Sequence, residues 1–334
     1  MLHKRNVKEV ISDFHRQYSI IMPDADSVAV ARDIWQDWKL SGNAPPDIDA
    51  IAKDYSLHEN GFFYELVAVA EKMEGINLGI HHCQFSLDRY NAYAFTATDG
   101  YIILVDDIFF QILYFLIHIL LFDAQGAIED PDEIRQAKAF VQEIVSVNYI
   151  QRRRIDFSRQ SIFHTLVKRD YELAEFANYL FHSIKAFILS HEIGHHVLRH
   201  TTGKYKKIFA ANGHTMEMEV DQRRIECEFE ADSYGYRLFN ALSDTTDETV
   251  FYAWCKYKFP FAPLLLFDIF RSLDDVQASL QGKLLAYTTH PHPDKRIKAL
   301  TAGYAIYDED PLYLLLKESL GRYLSDSAGQ TPAD

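Results

Sequence analysis

Apolar residues recur at three- and four-residue intervals along most of the chain, which predicts a mainly α (α+β) protein with one small β-sheet. The first 42 residues follow that period with a turn at Pro23-Asp24, and Ser41-Gly42-Asn43 followed by Pro45-Pro46 breaks the chain after them. A helix is predicted from Gly61 to Met73. Ile76 to Leu87 and Tyr93 to Val105 read instead as strands, joined around Asp88 to Asn91 and turning at Asp99-Gly100. From Ile108 to about Asn240 the helical period returns, interrupted by polar segments from Asp123 to Asp132 and from Thr201 to Thr215. An aromatic-rich helical region from Glu248 to Leu285 follows, then a polar loop from Thr288 to Lys295, a short helix around Arg296 to Ala302 and a last helix from Pro311 to Leu324. The expected organisation is a helical extension over residues 1–55, a main domain over 56–310, a C-terminal helix over 311–324 and a disordered polar tail over 325–334.

Composition narrows the class of partner. With 334 residues and 48% apolar content, the chain can fill a packed core. Its formal charge of −14 argues against nucleic acid as the main partner, because phosphate binding needs a basic surface. The basic runs Arg152-Arg153-Arg154 and Lys204 to Lys207 are short and read as solvated faces. Cys83, Cys227 and Cys255 are odd in number and have no CxxC spacing, as expected of reduced thiols in a cytoplasmic protein. The opening MLHKRNVKEVISDF has mixed charge where an export signal would be apolar. The most membrane-like run, Ile108 to Phe122, contains Gln111 and His118 and is shorter than the about 20 residues of a span, so a buried helix and no transmembrane segment are expected.

Candidate chemistry lies in FILSHEIGHHVLRH, which places His191 and His195 four residues apart, so both imidazoles share one helix face and can close on a single ion. Phe187, Ile188, His191, Gly194, His195 and Leu198 form the core-facing stripe of an amphipathic helix, so the histidines should point inward. A buried imidazole pair requires hydrogen bonds or a metal. A catalytic zinc wants a third protein ligand and one open position. In IECEFEADSYGYRL, Ile225, Glu228, Ala231, Asp232 and Gly235 share a face, with small residues that allow close packing. Glu228 is the candidate third ligand, and Asp232 can fix the tautomer of a ligand histidine. Glu226 and Glu230 fall on another face and are expected in solvent. The longer HExxHxxGxxH pattern is excluded, because Leu198 and Thr201 occupy its last two fixed positions. One zinc per chain would lower the pKa of a water toward neutrality, Glu192 would take its proton, and the hydroxide would attack a carbonyl. His196 and His200 fall off the stripe and are expected at the surface or in a layer behind the ligands. His81-His82-Cys83 reads as packed strand rather than a second metal site, since alternation sends neighbours to opposite faces.

HEIGH followed by EFEAD resembles the gluzincin peptidases of the HtpX and CaaX prenyl endopeptidase type, whose motif is HExxH followed by GluxxxAsp. Asn91-Ala92-Tyr93-Ala94-Phe95 is similar to that family's strand beside the cleft, and Thr289-His290-Pro291 through Arg296-Ile297 to its downstream segment. The resemblance implies a zincin-like catalytic domain with a small sheet beside the HExxH helix. It implies His191, His195 and Glu228 as ligands, Glu192 as base, Asp232 and Arg296 behind the ligands, and Asn91, Ala92 and Ala94 pairing with substrate backbone. His290 is implied as the group that steadies the oxyanion, with His292 and Arg296 also chemically able to do so; a rigid THPHP turn stands beside that reading. Unlike HtpX-like enzymes, the chain shows no obvious membrane helices. AFILSHEIGH, EFEAD and THPHPDKRI look more like the soluble phage-exclusion peptidases of the Lit type. The resulting expectation is a cytoplasmic zinc endopeptidase with a narrow protein or peptide substrate range, kept latent until an activating partner or signal is present. A zinc-stabilised binding module without turnover is the alternative, and an intact Glu192 argues against it.

Overall fold

The computed structural model describes residues 63–85, 92–146, 161–201, 205–211, 214–220, 225–242, 258–281, 291–306 and 308–324, together with residues 6 and 9. Asn6 and Glu9 exchange backbone-to-side-chain hydrogen bonds of 3.0 and 2.9 Å, the reciprocal pairing of a helix start. The rest of the expected N-terminal extension and the expected tail lie outside the described residues.

The order of elements is helix α1 (63–74), β1 (Ile80–Phe85), β2 (Ala92–Thr96), β3 (Tyr101–Asp106), α2 (Asp107–Ala124), α3 (Pro131–Glu143), α4 (Ser161–Arg169), α5 (Tyr171–Val197), β4 (Tyr205–Ala211), β5 (His214–Val220), α6 (Ile225–Ala241), α7 (Ala262–Gln281), α8 (Pro293–Gly303) and α9 (Pro311–Leu324). The fold is mainly α, as the apolar period predicts. Asp99-Gly100 closes the β2–β3 hairpin, with the Ala97 amide donating to the Gly100 carbonyl at 2.8 Å. β1 pairs with β3 in parallel, so the sheet order is β1-β3-β2 and β2 is an edge. The expectation of a single β region is corrected by the antiparallel pair β4–β5, Tyr205↔Val220 to Ala211↔His214. Its signal is the alternation of HTMEMEV after Asn212-Gly213, a turn dipeptide that fits a hairpin and that a helical reading of the region passes over.

Capping chemistry sets several helix starts. Asp106 ends β3 and accepts from the Ile108 amide at 3.1 Å. Asp130 and Pro131 begin α3, Asp170 begins α5, and Asp310 and Pro311 begin α9. Helix α2 carries apolar side chains on every side and is buried along most of its length, between α5 and α9. No helix among the described residues is long and apolar enough to cross a membrane. Helix α9 is held onto this core by polar latches: Arg322 makes two 2.8 Å bonds to the buried Asp123, and the Tyr313 hydroxyl donates to the fully buried Asp268 at 2.5 Å.

Helix α5 is the axis of the molecule, 27 residues or roughly 40 Å long. Its last four turns are enclosed on all sides, with every residue from Ser183 to His196 buried. The predicted stripe is therefore too narrow, since Lys185, Ser190, Glu192 and His196 are also covered. The surface expectation for His196 is corrected: its Nε2 donates to the Ile102 carbonyl of β3 at 3.3 Å, its ring lies against Tyr101, and its Nδ1 faces the Thr201 hydroxyl at 3.2 Å. Thr96 at the end of β2 donates to the Thr201 carbonyl at 2.9 Å. These bonds strap the sheet to the C-terminal end of α5.

Candidate active site

Helices α5 and α6 approach closely because each presents small residues to the other. A Cβ placed on Gly235 would stand 2.8 Å from the His191 amide nitrogen and 2.9 Å from its Cα, while one on Gly194 would meet Tyr234 at 3.1 Å and the Ala231 carbonyl at 3.3 Å. Gly235→Ala therefore has to push backbone away from backbone. Overpacking of this kind costs about 1–3 kcal/mol, of which the better helix propensity of alanine recovers about 1. The expected result is a lower unfolding midpoint in denaturant, and a variant as stable as wild type would contradict this packing.

That close approach brings the predicted residues together. His191 and His195 turn their Nε2 atoms toward each other at 3.1 Å, with rings nearly perpendicular. Glu228 faces both, its Oε2 at 3.5 Å from His191 Nε2 and its Oε1 at 3.6 Å from His195 Nε2. All three residues are buried. Atoms about 2.0–2.2 Å from one tetrahedral ion stand roughly 3.2–3.6 Å apart, so this donor set has the spacing of a shared ion, and two imidazoles with one carboxylate are a zinc-type combination. The Glu192 carboxylate lies beside the cluster, Oε1 at 3.9 Å from His191 Nε2, and is likewise buried.

Behind His191 stands a charge-compensated clamp. Its Nδ1 is 2.9 Å from Asp232 Oδ1. Asp232 in turn accepts from both nitrogens at one edge of the Arg296 guanidinium, Nε at 2.7 Å and a terminal nitrogen. Arg296 also covers the Phe267 ring at 4.3 Å. Burial alone would lower the His191 pKa, but its bonds to Asp232 and Glu228 outweigh burial and raise it to about 9. The metal-free protein thus carries an imidazolium at neutral pH. That interaction stabilises the fold fully below the ordinary value of 6.5 and fades as pH rises toward about 9. Burial would raise the Asp232 carboxyl, and the Arg296 charge and hydrogen bonds together with His191 hold it below the usual range.

Other predicted residues divide. Ala92 and Ala94 sit buried on β2, the edge strand that runs along α5. Asn91 and His290 lie outside the described residues. His292 caps α8, its Nδ1 accepting from the Asp294 amide at 3.3 Å, and Arg296 is committed to Asp232. The strand expected over His81-His82-Cys83 is present as β1, and the side chains of His82 and Cys83 fall outside the description.

Of the two places expected for His200, the structure shows the layer behind the ligands, and Glu230, expected only in solvent, joins it there. Helix α5 ends with the His200 amide bonded to the His195 carbonyl at 2.8 Å and the Arg199 amide to the His196 carbonyl at 3.0 Å, around Arg199 at φ 58°. This is a Schellman turn with arginine where glycine is usual. It returns His200 onto the helix, so that its Nδ1 lies 3.0 Å from His195 Nδ1 and its Nε2 2.9 Å from Glu230 Oε2. Glu230 is exposed as expected, but it is paired. Cys227 comes near the same two residues, making His200, Cys227 and Glu230 a second group whose ligand atoms lie within 4.8 Å of one another.

No curated protein and no solved structure gave a significant match to the chain. The family model of Peptidase U49 matches residues 128–316, more than half of the chain, and this stretch contains all of the clustered side chains described above.

Proposed function

The chain belongs to the Peptidase U49 family, and from that premise we propose that it is a zinc-dependent endopeptidase of gluzincin type, with His191, His195 and Glu228 as ligands and Glu192 as general base. The observation that carries this reading is the convergence of three buried ligand atoms of zinc-type chemistry beside a fourth, non-ligating carboxylate. A bound zinc would supply Lewis acidity toward a peptide carbonyl and lower the pKa of a water. Glu192 would act as the general base, holding the proton taken from water and returning it to the leaving amine. Asp232, held by Arg296, keeps the His191 proton on Nδ1 and leaves Nε2 to the ion.

The substrate is a protein or peptide. Strand β2 would receive it, since Ala92 and Ala94 lie on an edge with no partner strand on its outer side among the described residues, and an extended peptide can add to such an edge. The likeness of THPHPDKRI to the gluzincins' downstream segment supports His290 as the group that steadies the oxyanion. The likeness of AFILSHEIGH, EFEAD and THPHPDKRI to Lit-type sequences supports a cytoplasmic enzyme of narrow range, with a role in phage exclusion. A purely structural zinc usually closes its fourth position with a protein ligand, whereas the described residues gather three.

Metal dependence is tested by adding the purified protein to a bacterial lysate and counting new protein N-termini. Cleavage is expected with about one zinc per chain, to disappear on chelation and to return with zinc. Cleavage that persists in chelator would refute the metal-dependent reading.

A further inference from the structure

The two ligand histidines are held by unlike devices, and the second has a direction set by proton accounting. A neutral imidazole has one N–H and one lone pair. If His195 offers Nε2 to the ion, its hydrogen is on Nδ1, 3.0 Å from His200 Nδ1, which must then accept. The hydrogen of His200 is consequently on Nε2, where it donates to Glu230 at 2.9 Å. Each group has one role, and the order cannot be reversed while His195 binds metal through Nε2.

We propose that His200 and Glu230 form a positioning relay for His195, a Glu230–His200–His195 chain that runs from solvent to the metal and complements the buried Asp232–Arg296 clamp on His191. The inference rests on the metal assignment above. The backbone supports it independently: Arg199 occupies the left-handed region at φ 58°, which costs an L-residue about 1–2 kcal/mol, and that turn sets His200 against His195. The relay also decides what the His200, Cys227 and Glu230 group is. With its Nε2 hydrogen given to Glu230, His200 has no lone pair left for a second ion while the first is bound. The side chain of His200 is nearly covered while that of Glu230 is 62% exposed, so the chain ends in solvent and the Glu230 link is the weaker one.

The test measures zinc affinity by competition with a chromophoric chelator and reads tautomers from imidazole 15N resonances of the zinc-loaded protein. His200→Leu is expected to weaken zinc about 10- to 100-fold, the usual effect of losing the partner behind a ligand. His200→Gln, whose side-chain carbonyl can accept from His195, should recover part of that loss. Glu230→Ala should weaken binding less than tenfold, and Glu318→Ala, an exposed acid on α9, should not change it. In wild type the hydrogen of His200 should be on Nε2 and that of His195 on Nδ1. A His200→Leu protein that binds zinc as tightly as wild type, or a His200 protonated on Nδ1, would overturn the relay. Because the tautomers are read in wild type, the outcome stands even if a variant misfolds. A wild type that binds no zinc would instead overturn the metal assignment.

Discussion

Glu192→Gln should abolish cleavage while leaving the zinc in place. Glutamine keeps the volume and hydrogen-bonding shape of the side chain but cannot take a proton from water, and general base catalysis contributes about 10²- to 10⁴-fold. Glu192 is buried on α5 between the two ligand histidines, and its Oε1 is 3.9 Å from His191 Nε2, close enough to act on a water at the shared ion and farther than either oxygen of Glu228 is from its histidine. The variant is therefore expected to hold about one zinc per chain, to unfold near the wild-type temperature, and to produce new N-termini at least 100-fold more slowly. Wild-type cleavage by this variant would remove Glu192 from the chemistry.

Glu228→Ala should instead remove the metal. Glu228 supplies the negative charge in the cluster and is the contribution of α6 to it, so its loss leaves two imidazoles from a single helix. Losing a partner behind a ligand lowers affinity about 10- to 100-fold, and losing a ligand itself should exceed the upper figure. The metal-free protein should change much less, because Asp232 still compensates the His191 imidazolium. Thermal unfolding with and without zinc separates the two effects: added zinc raises the midpoint of wild type by mass action, and that rise should vanish in the variant. An undiminished rise would show that Glu228 is not a ligand.

Local pattern made much of this site legible. Four-residue spacing placed His191 and His195 together, and the shared face of Glu228, Ala231, Asp232 and Gly235 anticipated both the close helix contact and the Asp232 bond to His191. Pro311 to Leu324 is found with the predicted bounds because Asp310 and Pro311 mark its start. Periodicity failed where long-range contacts decide. A stripe divides a helix into an inner and an outer face, yet the last four turns of α5 are enclosed all round, and His196 is buried because β3 covers what would otherwise be its outer side. The parallel pairing of β1 with β3 is a matter of register between distant segments. Spacing left His200 between the surface and the layer behind the ligands, because its position depends on a left-handed residue at Arg199, which no arginine announces. Arg296 was placed behind the ligands by resemblance alone, and its bond to Asp232, 64 positions away, could not be read from spacing.

The central claim is most directly tested by X-ray absorption at the zinc edge of the purified, zinc-loaded protein. The account predicts one zinc with two imidazole nitrogens at about 2.0–2.1 Å, carboxylate oxygen at about 2.0–2.2 Å and no sulfur. A sulfur neighbour at about 2.3 Å would place the ion on Cys227 with His200 and Glu230, and would contradict the assignment to His191, His195 and Glu228.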